Sequence, residues 1–296
     1  MRKLLVFLSL AADFARGQTQ GTAAWDVVSI KLNQGCEGRG RGMSAPPSPG
    51  RLNMECNTVE NLIRMAYAFF QNGNSLNLKD VPINGGPGWI RSESYAINAK
   101  AEGLAPVAQM LGPMLRGLLE DRFKLKIHRE AKEGPVYVMT VAKSGSKLQP
   151  TKEGSCTPLD MNHLGDATPG QPKPNMCGDQ QIRRTGKTVS LKGSGLSMAE
   201  WTGGMLSDLI GRPVIDKTGI QGKFDIDIRI AIDSSMPMFQ GTIGRGGGDA
   251  GAALLAREPN GPTIFMALEK LGLKLESAKG PVENLIIDHV EKPTEN

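Results

Sequence analysis

An internal repeat constrains this 296-residue chain more than any other feature: residues from about 51 to 142 and from about 188 to 288 punctuate alike. In the first stretch Leu52, Met54 and Cys56 alternate as a strand does and Thr58 stands where a helix cap belongs. Leu62, Ile63, Ala66 and Phe69 then follow a helical pattern that stops near Gly73. In the second, Val189 and Leu191 mark the strand and Ser197 with Glu200 a capping box. Met205, Leu206, Leu209 and Ile210 form a helix ending at Gly211. Each helix precedes a turn-rich stretch with a proline, Pro87 or Pro213. An alternating strand comes next, through Tyr95, Ile97 and Ala99 or through Phe224, Ile226 and Ile228.

A second helix follows in both halves, from Pro106 to Glu120 and, shorter, from Thr263 to Leu271, and each leads into a closing hairpin. There Phe123-Lys124-Leu125-Lys126-Ile127 matches Leu271-Gly272-Leu273-Lys274-Leu275, and Gly134-Pro135-Val136 matches Gly280-Pro281-Val282, the second hairpin two residues tighter. Alternating strands expose one apolar face that an amphipathic helix can cover. The predicted fold is therefore α+β: two duplicated lobes, each a small mixed or antiparallel sheet with two helices packed on one face. Generic α+β patterning without duplication is the alternative.

An apolar content of 39% can fill one large core or two modest ones, and two lobes, 18–145 and 188–296, fit the repeat. Between them, residues 146–187 carry Pro150, Pro158, Pro169, Pro172 and Pro174 with few apolar side chains, and read as a disulfide-pinned linker. Residues 231–258 read as a Gly-rich insertion in the second lobe. Its run from Gly241 to Asp249 lacks the Lys-Ser/Thr pair that a phosphate-cradling loop uses, so it reads as a plain loop.

The first 17 residues read as an export signal. Arg2 and Lys3 form a basic start, Leu4 to Ala12 an apolar run too short to span a bilayer, and Ala15-Arg16-Gly17 a cleavage site. An uncleaved anchor is the alternative. Removing that segment takes away three basic residues and one acidic one, lowering the formal charge from +5 to +3. So slight an excess, and an isolated Arg/Gly stretch from Glu37 to Gly42 without aromatic neighbours, give no nucleic-acid signature. Cys36, Cys56, Cys156 and Cys177 form an even set in two local pairs, which suits a periplasmic or extracellular protein. Of three possible connectivities, Cys36 to Cys56 and Cys156 to Cys177 is preferred, each bridge closing a loop of about 20 residues worth roughly 3 kcal/mol. No Cys-x-x-Cys is present, and no metal or cofactor set is predicted.

Catalytic signatures are equally sparse. Asp216-Lys217-Thr218-Gly219 spells the phosphorylated motif of ion pumps, but Ile220 stands where that motif wants Thr, and the segment reads as a turn. His128, His163 and His289 are the three histidines, and neither a Gly-x-Ser-x-Gly elbow nor a His-Glu-x-x-His helix accompanies them. Asp288-His289 reads as a surface pair.

Several segments together resemble an exported family known as a domain of unknown function and expanded in soil acidobacteria. They are Asp26 to Lys31, Gly85-Gly86-Pro87-Gly88-Trp89, Leu119 to Lys126, Arg212 to Gly219, Leu271 to Glu276 and Ile287 to Pro293. Trp25, where Phe is usual, and the long linker depart from the pattern. The resemblance implies no established activity. Similar domains attached to membrane metallopeptidases like the β-lactam sensor-transducers imply extracytoplasmic sensing or binding. At fold level each half is similar to the short N-terminal domain of secretins and TonB-dependent receptors.

Two functions follow as expectations. The preferred one is a non-enzymatic exported module that binds a protein or small-molecule ligand at an interlobe groove or an open strand edge. The other is a secreted hydrolase, for which residues such as His163, Asp166 and Asp216 would have to converge.

Overall fold

The computed structural model describes residues 24–36, 42–43, 47–73, 81–163, 174–232, 236 and 262–293. The predicted signal segment, and residues 233–235 and 237–258 of the predicted insertion, lie outside the described residues. The fold is α+β, with three four-stranded sheets.

In the first half, β1 (Trp25–Leu32), β2 (Gly42–Met43), β3 (Arg51–Thr58) and β5 (Ser94–Ala101) form a sheet in the order β1-β5-β3-β2. Leu52 opposes Ala99 and Met54 opposes Ile97, so the alternating residues share one buried face. The Thr58 hydroxyl accepts from the Asn61 amide at 3.3 Å and starts α1 (Val59–Arg64), which widens into a π-turn over Met65–Phe69. After the short α2 (Trp89–Ser92), a helix built from α3 (Val107–Gln109), a second π-turn (Met110–Met114) holding Pro113, and α4 (Leu115–Arg122) lies against α1 and its π-turn. A Cβ on Gly112 would lie 2.0 Å from the Phe70 carbonyl oxygen, so this glycine lets the two widened turns touch.

The second half runs through a similar order of elements, without a counterpart of α2 among the described residues. Its sheet, β7-β11-β9-β8, comprises β7 (Gln149–Pro150), β8 (Gln180–Thr185), β9 (Thr188–Leu196) and β11 (Phe224–Ala231). Ser197 and Glu200 close the capping box that starts α5 (Met198–Trp201). A π-turn at Thr202–Leu206 leads into α6 (Ser207–Ile210), which Gly211 ends in left-handed conformation. Later, Thr263 caps α7 (Ile264–Lys270). Residues 146–187, expected to be a linker, supply both edge strands of this sheet. Their strands escaped notice because β7 has two residues and Ile182 alone in β8 packs on the core.

The third sheet corrects the expected closing hairpins. No turn forms at Gly134 or Gly280; each lies inside one long strand, β6 (Lys126–Val141) or β12 (Leu273–His289), and the two strands pair antiparallel with Gly134 directly opposite Gly280. A Gly-Pro pair punctuates turns locally, yet here each stays extended because its partner strand supplies the ladder. Two short strands flank the ribbon. β4 (Ile83–Gly85) runs parallel to β12, and β10 (Val214–Asp216) parallel to β6, giving the order β10-β6-β12-β4. Pro82 and Pro213 hold matching places before these strands: their carbonyls accept from Leu285 and Tyr137, each at 2.9 Å. Pro82, rather than the expected Pro87, is thus the first half's counterpart of Pro213.

Each half lends its long strand to the other. Leu285 and Ile287 of β12 are buried in the first core, while Met139 of β6 is buried in the second beside Leu273 and Leu275. The lobes are therefore not separate packing units, because each core is completed by a strand from both halves.

Candidate functional site

The second-half sheet has two unlike faces. Val189, Leu191, Ile226, Ile228 and Ile230 turn inward onto the helices and are buried. Strand alternation then sends Gln181, Arg183, Ser190, Lys192, Asp227 and Arg229 to the opposite face, where all but the half-buried Ser190 are exposed. Register aligns them into rows. Gln181, Lys192 and Asp227 stand side by side, and in the next row Ser190 sits between Arg183 and Arg229.

Charge on this face is unevenly satisfied. Lys192 pairs with Asp227 at 2.9 Å, and Asp225 accepts from the Gly195 amide at 2.9 Å and the Thr151 hydroxyl at 2.8 Å. Arg183 reaches only the Gln181 side-chain oxygen, at 3.4 Å, and Arg229 has no side-chain partner among the described residues. β8 also ends the sheet, with β9 as its one neighbour among the described strands. The signal was present in sequence: residues 180–192 hold four basic side chains and no acidic one. It was missed because β8 itself was not legible.

Beside this face the chain is fastened at several points. Cys156 bonds Cys177 here, with Cα atoms 5.0 Å apart, while Cys36 bonds Cys56 in the first half, at 5.4 Å. Gly195 lets the Cys156–Cys177 bridge approach, since a Cβ there would lie 2.7 Å from the Cys156 sulfur. Burial acts to raise the Glu200 carboxyl, but hydrogen bonds from the Ser197 amide and hydroxyl, with the Lys223 ammonium, outweigh it and hold the group below the usual carboxylate range.

The histidines are each matched to a carboxylate at the surface. His163 Nδ1 lies 2.7 Å from Asp160, whose carboxyl is held low chiefly by that contact, and the neighbouring Asn162 accepts from the Val107 amide. Asp216 accepts from the amide and hydroxyl of Thr218, a turn at the end of β10. These two candidates thus have separate local partners, and Asp166 lies outside the described residues. Asp288 pairs across the ribbon with His128 at 2.8 Å, while His289 contacts Glu291 at 2.8 Å. The expected Asp288-His289 pair is therefore replaced by two others. Among the described residues no group of three or more metal-ligating side chains gathers.

The most distinctive sequence motifs meet at the two ends of the long ribbon and serve its construction. At one end Gly85 opposes Ile287, Lys292 lies over the Trp89 ring at 5.7 Å, and the Glu291 amide donates to Phe123. There too Arg129 joins Glu283, the Tyr67 carbonyl and Gln71. Tyr67, held protonated by burial and by its 2.8 Å bond to Glu120, has its pKa raised well above the ordinary phenol range. At the other end the Lys217 backbone amide donates to the Met139 carbonyl, and Arg212 lies over Tyr137 at 5.5 Å.

Residues 60–290 match the model of a family described as "Protein of unknown function (DUF3738)". No curated protein and no solved structure matches the chain.

Proposed function

We propose that this chain, which belongs to the DUF3738 family of proteins of unknown function, is an exported, non-enzymatic module that binds a ligand or partner at the β8–β9–β11 face. The observation that carries this reading is a sheet packed on helices by one face and ending at β8, with two exposed arginines on its other face. Binding residues placed on strands are fixed by the ladder and by the core beneath them. Export is supported by the two disulfides, which persist in oxidising compartments, and by the basic-apolar pattern of residues 1–17. No described helix is long and apolar enough to cross a membrane. Descent of the halves from one duplicated unit belongs to the same reading, supported by their matching order of capped helix, short parallel strand and long strand.

A direct test pairs binding with catalysis. The exported protein is expected to begin at Gln18 and to bind a cell-envelope fraction saturably, with the binding lost when Arg183 and Arg229 are both replaced by Gln. Hydrolysis of chromogenic ester, amide or phosphodiester substrates that disappears in His128→Ala, His163→Ala or His289→Ala would overturn the non-enzymatic reading, since each of these histidines is paired with a carboxylate.

A further inference from the structure

We infer that the Arg183–Ser190–Arg229 row is a binding site for a phosphate-class oxyanion, free or carried on a lipid headgroup. The inference rests on the binding reading above and names its ligand chemistry. Register puts the two arginines on adjacent sides of Ser190, one strand away in each direction, all three side chains on the solvent face. Neighbouring strands lie about 4.8 Å apart, so the two arginine stems rise roughly 10 Å from one another with a hydroxyl between them. Long guanidinium side chains can lean inward across that gap, and each offers a planar fork of donors suited to an oxyanion. The Ser190 hydroxyl can donate from below.

Charge complementarity selects the sign of the ligand. Asp227 is neutralised by Lys192, while Asp225 is held by the Gly195 amide and Thr151 hydroxyl and Asp179 by the Gln181 side-chain amide, so the Arg183–Ser190–Arg229 row itself carries no carboxylate. Lys187, exposed in the β8–β9 turn beside this row, adds a further positive charge. Like charges close together on a sheet repel, and an oxyanion between them removes that repulsion. The pair can stand open in the free protein because water screens charges at this separation. The sheet beneath is held by buried Val189, Leu191, Ile228 and Ile230, so the strands keep their places and the arginine side chains alone move to meet the anion.

The test is an amide-resolved NMR titration of the mature protein at constant ionic strength. Inorganic phosphate and sulfate are the soluble probes, and phosphatidylglycerol vesicles against phosphatidylcholine vesicles are the membrane probe. Saturable shifts centred on Ser190, with about tenfold weaker binding in each of Arg183→Gln and Arg229→Gln and no change in Lys274→Gln, would establish the site for the free anion. Binding to phosphatidylglycerol vesicles alone, abolished by the same two substitutions, would establish it with a headgroup source. These side chains point to solvent, so the variants' spectra should otherwise match the parent's. Shifts that never saturate, or that persist unchanged in both variants, would overturn the assignment. If envelope binding survived that result, the oxyanion assignment would fall while the binding reading stood.

Discussion

Lys124 and Gly272 occupy the same step in their two halves, the turn between a helix and a long strand, and both hold left-handed backbone, with φ of 50° and 74°. Their surroundings differ sharply. A Cβ on Gly272 would lie 1.8 Å from the Gly145 carbonyl oxygen, a backbone atom that cannot swing away, whereas Lys124 already carries a side chain there. Gly272→Ala should therefore destabilise the fold by about 2–4 kcal/mol, through overlap added to the left-handed penalty. Lys124→Gly should be within about 1 kcal/mol of neutral, because relief of that penalty is offset by the freedom glycine brings to the unfolded chain. Urea denaturation of both variants checks the contrast, and a tolerated Gly272→Ala would mean the close approach to Gly145 is not made.

The exchange of long strands makes a prediction about independence. A fragment of residues 24–145 contains every element of the first half, but lacks Leu285 and Ile287, buried at 0% and 7% exposure in the first core, and the strand that β4 pairs with. Removing buried side chains of this size typically costs about 2–5 kcal/mol each, comparable with the whole stability of a small domain. The fragment should show no cooperative thermal transition, and adding a peptide covering residues 271–293 should restore one. A sharp transition in the fragment alone would show that the exchanged strand is dispensable.

What was legible in the sequence was local. Thr58, Ser197 with Glu200, and Gly211 act within one turn of their own helices, so the caps and helix ends could be read directly. The long strands could not, since whether Gly134-Pro135 turns back or runs on is decided by a partner 146 residues away in the chain. The same distance problem hid the His128–Asp288 pair, separated by 160 residues. The Arg183–Ser190–Arg229 row exists only once three strands are in register, and β8, polar except for Ile182, gave no period to reveal it.

The disulfides make a chemical prediction. Mass spectrometry of the exported protein without reductant should find no free thiol and two bridges, each within its local pair. Replacing Cys156 and Cys177 together by Ala should lower stability by roughly 3 kcal/mol, the chain-entropy value for a loop of about 20 residues. A bridge between Cys56 and Cys156 would contradict the pairing.

The last prediction concerns acid. Glu200 has its carboxyl held below the usual range in the folded protein, by Ser197 and Lys223 against the opposing effect of burial. A depressed carboxyl binds its proton less readily folded than unfolded, so it adds stability above the unfolded carboxylate pKa. That contribution is lost as pH falls through the lower, folded value. Glu200→Gln keeps the size of the side chain and some capping ability but removes the charge. The parent should therefore melt above the variant at pH 7, and the gap should close as the pH is lowered past the carboxylate range. The site is partly exposed, so added salt should narrow the gap at pH 7 by screening the Lys223 contribution, while leaving the short hydrogen bonds from Ser197, both 2.7 Å, in place. Differential scanning calorimetry of the two proteins from pH 7 to pH 3 decides the matter. A gap that stayed constant with pH would show that Glu200 acts there by shape alone, and that its charge adds nothing to the start of α5.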